Sequence, residues 1–287
     1  MTDMTMTDMT PPARIDLHTH SRCSDGTLTP TALVELAAGR HVGMLALTDH
    51  DTMVGCDEAR AACQTHHIHF ISGVELTCQW REREVHIIGL NIDTRQPDLV
   101  AHCEHLAQLR RERIERMAER LSRAGLPGTV LAAAALAAAS PTRMHLARAL
   151  CDQGFARSTQ EAFDRYLQRG APGHSAAQWP ELDSVVRCIV QSGGIAVLAH
   201  PHRYTLSAGR LRELVGQFKA EGGAGLELSL AGMSPACADR AASLARRFDL
   251  AGSFGSDFHE PGLPWRPLGR LAKLPDAIVP ITTCLGF

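Results

Sequence analysis

Lysine is almost missing from this sequence, in which Lys219 and Lys273 are the only lysines and arginine supplies the other strongly basic side chains. Genome composition is one explanation, and the other is chemical, because a planar guanidinium can bind phosphate through two hydrogen bonds. The nine cysteines include no CxxC pair, so neither a disulfide framework nor a structural zinc site is expected. Unpaired cysteines suit a reducing compartment, and we expect a cytoplasmic protein.

Long apolar runs and a strong net charge are also absent. No run approaches the ~20 apolar residues of a membrane helix, and a formal charge of −2 argues against general coating of nucleic acid. The start MTDMTMTDMTPP resembles neither a signal nor a transit peptide, and residues 1–13 are predicted to be a disordered lead-in. A length of 287 residues with 45% hydrophobic content predicts a soluble globular protein with a full core. We expect no membrane association and no obligate protein partner.

The stretch DLHTHSRCSDG carries the first chemical signal. His18 and His20 follow a short apolar run and are two positions apart, so on a strand they face the same side. Two converging imidazoles are typical of a divalent-metal site. Asp25 follows on a turn closed by Gly26. Alone, the motif also fits a surface turn with two solvated histidines, and the later strand ends decide between these interpretations.

Histidines and carboxylates recur near the ends of the later predicted strands, which span 44–48, 68–74, 85–90, 195–199, 226–230 and 251–254. Together with the first stretch, the strand ends supply His18, His20, Asp25, His50, Glu75, His86, His200, Asp257 and His259. Because the carboxyl ends of parallel strands converge on one face, these side chains can share one cavity. Without metal, so many histidines and carboxylates in one cavity would leave buried charges unpaired. We therefore predict two or three divalent cations, of which Mn²⁺, Fe²⁺ or Zn²⁺ suit these ligands.

Helices are predicted between these strands, over 30–39, 55–65, 180–192, 208–221 and 235–247. The alternation predicts an α/β fold built from parallel βαβ units. From residue 97 the pattern changes to all-helical, with a long helix over 97–124 and further helices near 142–153 and 159–168. The alanine-rich stretch over 131–139 is either helical or flexible. We predict a barrel formed by 14–94 and 176–287, with 95–175 as a helical insertion that covers the active site.

Six motifs in order, DLHTHSRCSDG, LALTDHDT, GVEL, EVHIIGL, LAHPHR and GSDFH, resemble those of the PHP (polymerase and histidinol phosphatase) family of metal-dependent phosphoesterases. The resemblance spans about residues 14–94 and 176–260. It implies a distorted (β/α)7 barrel with a trinuclear metal site. Carried over motif by motif, the first ion would be held by His18, His20, Glu75 and Asp257, the second by Glu75 as a bridge with His86 and His200, and the third by Asp25, His50 and His259. Some members have histidine where this chain has Asp25, and the carboxylate favours Mn²⁺, with Fe²⁺, Zn²⁺ or Mg²⁺ as alternatives.

The helical segment carries a further resemblance. With SPTRMHLAR before a helix and AHPHRY after a strand, the chain is similar to the branch that acts on nucleoside 3′,5′-bisphosphates and on short RNA from its 5′ end. The substrate-binding candidates that this implies are Arg143, His145, Arg148 and Arg203, although a helix-surface ion pair is the alternative for Arg148. His202 stands where relatives have glycine, and its role as proton donor, substrate contact or mere neighbour stays open. The roles of His174 and Trp179 are open as well.

The implied function is a metal-dependent phosphoesterase that removes the 3′-phosphate of nucleoside 3′,5′-bisphosphates, with 5′→3′ degradation of short 5′-phosphorylated single-stranded RNA as a second activity. The hypothetical nucleophile is a hydroxide between two metals ~3.5–4 Å apart. No side chain is assigned as catalyst beyond it, and His202 is only a weak candidate. The alternatives are a histidinol-phosphate phosphatase and a non-catalytic nucleotide-binding PHP module.

Overall fold

The computed structural model describes residues 14–230, 233–263, 266–275 and 277–287, so the lead-in predicted over 1–13 lies outside the described residues. One sheet contains seven strands, whose order in the sheet is their order in the chain. The strands are β1 (Arg14–Asp16), β2 (Val42–Leu47), β3 (His69–Trp80), β4 (Arg83–Leu90), β5 (Ile195–Leu198), β6 (Gly225–Leu230) and β7 (Ala251–Gly255).

The two edges of this sheet meet. The Leu17 N–H donates to the Phe254 carbonyl at 3.1 Å, and the His20 N–H donates to the Phe258 carbonyl at 2.8 Å. The chain that continues from β1 therefore runs beside the chain that continues from β7 and closes the sheet into a barrel. The predicted α/β fold is confirmed.

Strand β4 departs from the predicted parallel pattern. It pairs antiparallel with both β3 and β5, whereas the other neighbouring strands are parallel. The expectation of parallel βαβ units was therefore wrong at this strand. The reason is that only Arg81 and Glu82 separate β3 from β4, and a two-residue turn can join only antiparallel neighbours.

The hairpin formed by β3 and β4 rises above the barrel mouth. β2 pairs with β3 only as far as Ser72, and β5 pairs with β4 only from Ile87 onward. β3 and β4 pair with each other up to Trp80 and Arg83. His86, near the start of its own strand, is thereby brought to the edge where the parallel strands end.

Helices form at the predicted places, and a further short helix, Ile281–Cys284, lies in the C-terminal tail where none was predicted. They are α1 (Pro30–Gly39), α2 (Cys56–Thr65), α3 (Pro97–Arg123), α4 (Gly128–Leu136), α5 (Arg143–Asp152), α6 (Thr159–Ala162), α7 (Leu182–Gln191), α8 (Ala208–Ala220), α9 (Pro235–Arg247) and α10 (Ile281–Cys284). A π-helical turn, Phe163–Leu167, follows α6. Within the described part of the chain, no helix combines the length and apolarity needed to cross a bilayer.

The segment from α3 to the π-helical turn has a hydrophobic core of its own. It contains Ile114, Met117, Leu121, Leu131, Leu146, Leu150 and Leu167, all buried. The first turns of α3 instead pack in the barrel core through Leu99 and Leu106. The alanine-rich stretch, left open between helix and flexible segment, forms α4. That residues 95–175 form an insertion over the active site stays a prediction.

Candidate active site

The nine predicted metal ligands lie together at the edge where the parallel strands end. His18, His20 and Asp25 follow β1, His50 follows β2, Glu75 lies on β3, His86 lies on β4, His200 follows β5, and Asp257 and His259 follow β7. Most of these side chains are buried, and His50, His86 and His259 are partly exposed. The barrel therefore brings motifs that are far apart in the sequence together into one cluster.

Glu75 is the centre of this cluster. One carboxylate oxygen, Oε1, lies 2.9 Å from His200 Nε2 and 3.1 Å from His86 Nδ1. The other, Oε2, lies 3.0 Å from His50 Nδ1 and 3.4 Å from Nε2 of both His18 and His20. Each oxygen thus faces a different set of imidazoles, which is the arrangement expected of a carboxylate that bridges two cations.

Two aspartates extend the cluster on either side of His20. Asp257 Oδ1 lies 3.2 Å from His20 Nε2 and 3.4 Å from His18 Nε2. Asp25 Oδ1 lies 3.2 Å from His259 Nε2 and 3.9 Å from His50 Nε2. Some contacts cross the three ligand groups that the family resemblance implies: His50 lies against Glu75, His20 lies 4.0 Å from Asp25, and His259 lies 3.5 Å from Asp257. The assignment of each ligand to one ion stays a prediction.

Several buried atoms of the cluster make no well-aligned hydrogen bond, even where another polar atom lies 3.0–3.2 Å away. They are Asp25 Oδ1, His50 Nδ1, Glu75 Oε2 and His200 Nδ1. In addition, Nε2 of His18 and Nε2 of His20 face each other at 3.1 Å. A buried polar atom without a partner costs about 1–3 kcal/mol, so this density of orphaned donors and acceptors calls for a ligand. Divalent cations fit, because the atoms are imidazole nitrogens and carboxylate oxygens only.

The cluster holds its carboxylates ionised. Burial raises the pKa of Glu75, but the imidazoles of His50, His18 and His86 outweigh it and bring the pKa well below its ordinary value. The pKa of Asp257 is lowered in the same way, against burial, by His259, His18 and Arg203. Both groups therefore offer a full negative charge to a cation at neutral pH.

Glu227, on β6, supports the cluster from behind and was missed in the sequence. Its Oε1 lies 2.9 Å from His18 Nδ1, and its Oε2 accepts the His200 backbone N–H at 2.6 Å. A carboxylate on one ring nitrogen orients the other nitrogen towards a metal. Gly255 makes room for this contact, since a Cβ there would lie 2.4 Å from Glu227 Oε1. The available signal was a lone carboxylate inside the apolar strand LELSL.

Replacing Glu227 with glutamine is expected to weaken Mn²⁺ binding about 10–100-fold, because the amide keeps the shape but loses the charge that orients His18. Equilibrium dialysis with metal analysis measures the affinity, and circular dichroism checks that the fold is kept. Glu119→Gln, which changes an exposed glutamate on α3, serves as the matched control. Equal affinities in the two variants would show that Glu227 does not position a metal ligand.

The turn after β2 is held by two further aspartates of the motif LTDHDT. Asp49 accepts hydrogen bonds from the Ser21 N–H (2.8 Å), the Ser21 hydroxyl (2.7 Å) and the Ser24 hydroxyl (2.6 Å), and so fixes the loop after His20. Asp51 accepts from the Thr77 N–H at 2.6 Å and from Arg110 Nε at 2.5 Å. Arg110 comes from α3, so the helical segment is tied directly to the turn that carries His50.

Left-handed backbone marks three positions of the site. Asp51, His200 and Asp257 have φ values of +52°, +29° and +52°. Such values are costly for residues other than glycine, and they persist where the surrounding structure imposes them. Here they turn the chain sharply at the ends of β2, β5 and β7, which aims the flanking side chains into the cluster.

A cavity of about 850 Å³ opens beside the cluster, and we call it the inner cavity. His86 and His200 line its inner end. Its basic lining is formed by Arg83, Arg113, Arg143, Arg169, Arg203 and His174. An anionic substrate placed here would meet guanidinium groups on one side and the predicted metal ligands on the other.

Two of the four predicted substrate residues, Arg143 and Arg203, line the inner cavity. Arg143 lies 3.3 Å from Glu84, and Arg203 pairs with Asp257. The other two have different contacts: His145 Nδ1 accepts the Thr142 N–H at 3.0 Å as part of the α5 capping box, and Arg148 lies 4.0 Å from Glu260.

Of the residues whose roles were open, His174 and Trp179 line the inner cavity and His202 does not. Burial, together with Arg203 and His200, lowers the pKa of His202 to about 4. Sequence reasoning missed Glu84 and Arg113, which pair at 2.9 Å in the cavity wall. The signal available for Glu84 was the charged run WREREVH, which leads directly into a predicted ligand.

The comparison with known proteins places these features in a family. The family described as "PHP domain" matches residues 16–174 of this chain. The "5'-3' exoribonuclease Rnm" of Escherichia coli is 43% identical over 269 residues, which cover 92% of this chain and 90% of that protein. The "3',5'-nucleoside bisphosphate phosphatase" of Chromobacterium violaceum is 40% identical, and the match covers 94% of this chain and 95% of that protein. A solved structure from Chromobacterium violaceum, described as an amidohydrolase with bound sulfate and no metal, superposes with a TM-score of 0.90 at 39% identity over 96% of both chains. The predicted family and enzyme class are confirmed.

Proposed function

This chain belongs to the PHP domain family, and from that premise we propose that it removes the 3′-phosphate of nucleoside 3′,5′-bisphosphates and degrades short 5′-phosphorylated RNA from its 5′ end. The proposal rests on the position of two different environments next to each other. A cluster of imidazoles and carboxylates with orphaned buried atoms opens directly into a cavity lined by five arginines. The first environment suits metal-assisted attack on phosphorus, and the second suits a substrate with more than one phosphate.

The two activities named for the relatives are one reaction on two substrates. In a nucleoside 3′,5′-bisphosphate, water attacks the 3′-phosphorus, the bond from phosphorus to O3′ breaks, and O3′ gains a proton. In a 5′-phosphorylated RNA the bond from phosphorus to O3′ of the first nucleotide breaks, and the phosphate stays on the 5′ oxygen of the second nucleotide. The two substrates differ only in whether this phosphorus also carries a second nucleotide. A single site that recognises a 5′-phosphorylated first nucleotide can therefore catalyse both.

Divalent cations, for which we propose Mn²⁺ at three positions, would supply an activated water and polarise the phosphoryl oxygens when bound. The residues that would hold them are His18, His20, Asp25, His50, Glu75, His86, His200, Asp257 and His259. The absence of cysteine and the presence of three carboxylates in this set favour a cation harder than zinc.

The chain's own residues bind and orient the substrate. Arg143 and Arg113 approach the inner cavity from α5 and α3, and both are braced by Glu84 at 3.3 and 2.9 Å. We assign them to phosphate binding, since a braced guanidinium loses little further freedom when it binds an anion. Arg203 lies between the cluster and the cavity through its pair with Asp257 and is suited to orient the reacting phosphoryl group. His202 is unprotonated at neutral pH, so we do not assign it the role of proton donor to O3′.

A substrate panel tests the proposal. The enzyme is stripped with EDTA, dialysed, and assayed with and without Mn²⁺ on adenosine 3′,5′-bisphosphate, a 5′-phosphorylated dinucleotide and histidinol phosphate. We expect no turnover without metal and restored release of adenosine 5′-monophosphate and nucleotides with Mn²⁺. Turnover of histidinol phosphate alone would contradict the proposal, as would full activity of the stripped enzyme. Binding of the nucleotides without turnover would indicate a non-catalytic module.

A further inference from the structure

A second cavity of about 360 Å³ lies at the tip of the β3–β4 hairpin, and we call it the outer cavity. It shares Glu82, Arg83 and Arg169 with the inner cavity. Trp80, Arg81 and Arg210 complete its lining. The shared residues make the two cavities adjacent, so the outer cavity is a continuation of the space that begins at the metal-ligand cluster.

The hairpin sets the distance between the cluster and the outer cavity. Arg83 precedes His86 by three positions on the same strand, and a strand rises about 3.3 Å per residue. Arg83 is therefore about 10 Å further out than His86. At about 3.4 Å per stacked nucleotide this corresponds to roughly three nucleotides of a single strand, and to fewer if the strand is extended.

The outer cavity carries an excess of positive charge, which the protein neutralises only in part. Its walls carry four arginines and one carboxylate, Glu82. Arg81 pairs with Glu213 at 2.9 Å and lies 4.8 Å from the Trp80 ring. Arg83, Arg169 and Arg210 are exposed, and among the described residues their side chains make no ion pair, unlike Arg113 and Arg143 further in.

We propose that the outer cavity binds the phosphodiester backbone of the second and third nucleotides of a 5′-phosphorylated single-stranded RNA. The inference rests on the proposed function, since it needs a first nucleotide in the inner cavity. Arg81 and Arg210 line only the outer cavity, so they contribute only when the substrate extends beyond the inner cavity. Guanidinium groups spaced along a groove bind a strand through its phosphates without reading its bases.

The test compares substrates of increasing length at several salt concentrations, with constant Mn²⁺. The substrates are adenosine 3′,5′-bisphosphate and 5′-phosphorylated RNAs of two, three and five nucleotides. For the unmodified enzyme we expect kcat/KM to rise up to the trinucleotide and then level off. Arg210→Ala is expected to leave the bisphosphate reaction unchanged and to lower kcat/KM for the trinucleotide. Its slope of log(kcat/KM) against log[salt] should become shallower by about 0.7, the value for one lost phosphate contact on a single strand.

Two further variants serve as controls for this result. Arg143→Ala, in the inner cavity, should lower kcat/KM for every substrate. Arg247→Ala removes an exposed arginine at the end of α9, just before β7 begins and thus at the opposite edge of the barrel, and should change none.

The inference is overturned if Arg210→Ala affects the bisphosphate and the trinucleotide equally, or affects neither. It is also overturned if the bisphosphate is hydrolysed and no RNA is, which leaves the phosphatase activity intact. Failure to hydrolyse any of these substrates with Mn²⁺ would instead overturn the proposed function itself.

Discussion

Replacing Glu75 with glutamine is expected to lower phosphoester hydrolysis by a factor of about 10³ or more, because we propose that this carboxylate is shared by two cations. Among the described residues, Glu75 is the one carboxylate that contacts all of His18, His20, His50, His86 and His200. A neutral amide cannot bridge cations as a carboxylate does, and its NH₂ group would repel at least one of them. We expect the bound Mn²⁺ per chain to fall together with the activity.

Two measurements separate this effect from misfolding. Metal analysis after dialysis gives the number of ions per chain, and circular dichroism reports the fold of the same sample. Glu119→Gln, on the exposed face of α3, is the matched control and should bind the full complement of metal. A Glu75→Gln enzyme with normal metal content and normal kcat would rule out the bridging role.

Replacing Arg110 with alanine is expected to lower the free energy of unfolding of the metal-free protein by about 3–5 kcal/mol. Arg110 is 7% exposed, and its partner Asp51 is 1% exposed. Its guanidinium donates to Asp51 at 2.5 Å and to the Thr77 hydroxyl at 2.7 Å, and it lies 5.5 Å from the Trp179 ring. Without it, Asp51 is left buried and unpaired next to the turn that carries His50. Urea unfolding measures the change.

The control for Arg110 lies on the same helix. Arg116, whose side chain is 44% exposed, pairs with Glu112 at 3.7 Å, and Arg116→Ala should cost no more than about 1 kcal/mol. The double variant Arg110→Ala with Asp51→Asn should recover part of the loss, because it removes the unpaired charge. If Arg110→Ala is no less stable than Arg116→Ala, this ion pair does not hold the helical segment to the barrel.

Local spacing was enough to identify the cluster and most of the elements. The two-residue spacing of His18 and His20 and the polar strand ends predicted one metal-binding face, and helix α9 begins and ends where its pattern placed it. These features depend on neighbours in the chain, whose geometry is set by strand and helix periodicity. The family resemblance added the grouping of the ligands into three sets, which stays a prediction.

Contacts between distant parts of the chain could not be read in this way. Glu227 is separated from His18 by 209 positions and Arg110 from Asp51 by 59, and no local pattern encodes which strands become neighbours. The same holds for the candidate substrate residues: Arg143 and His145 stand on one turn of α5, yet one faces the inner cavity and the other caps its helix.

The sequence by itself determined which residue types end each strand, and hence the chemistry of the cluster. Only the tertiary structure decided that β4 runs antiparallel, that Glu227 stands behind His18, and that the arginines form two adjoining cavities. The physical reason is that ligand identity is a local property of each strand end, whereas the supporting contacts and the substrate path arise when the hairpin, the barrel and the helical segment pack against one another.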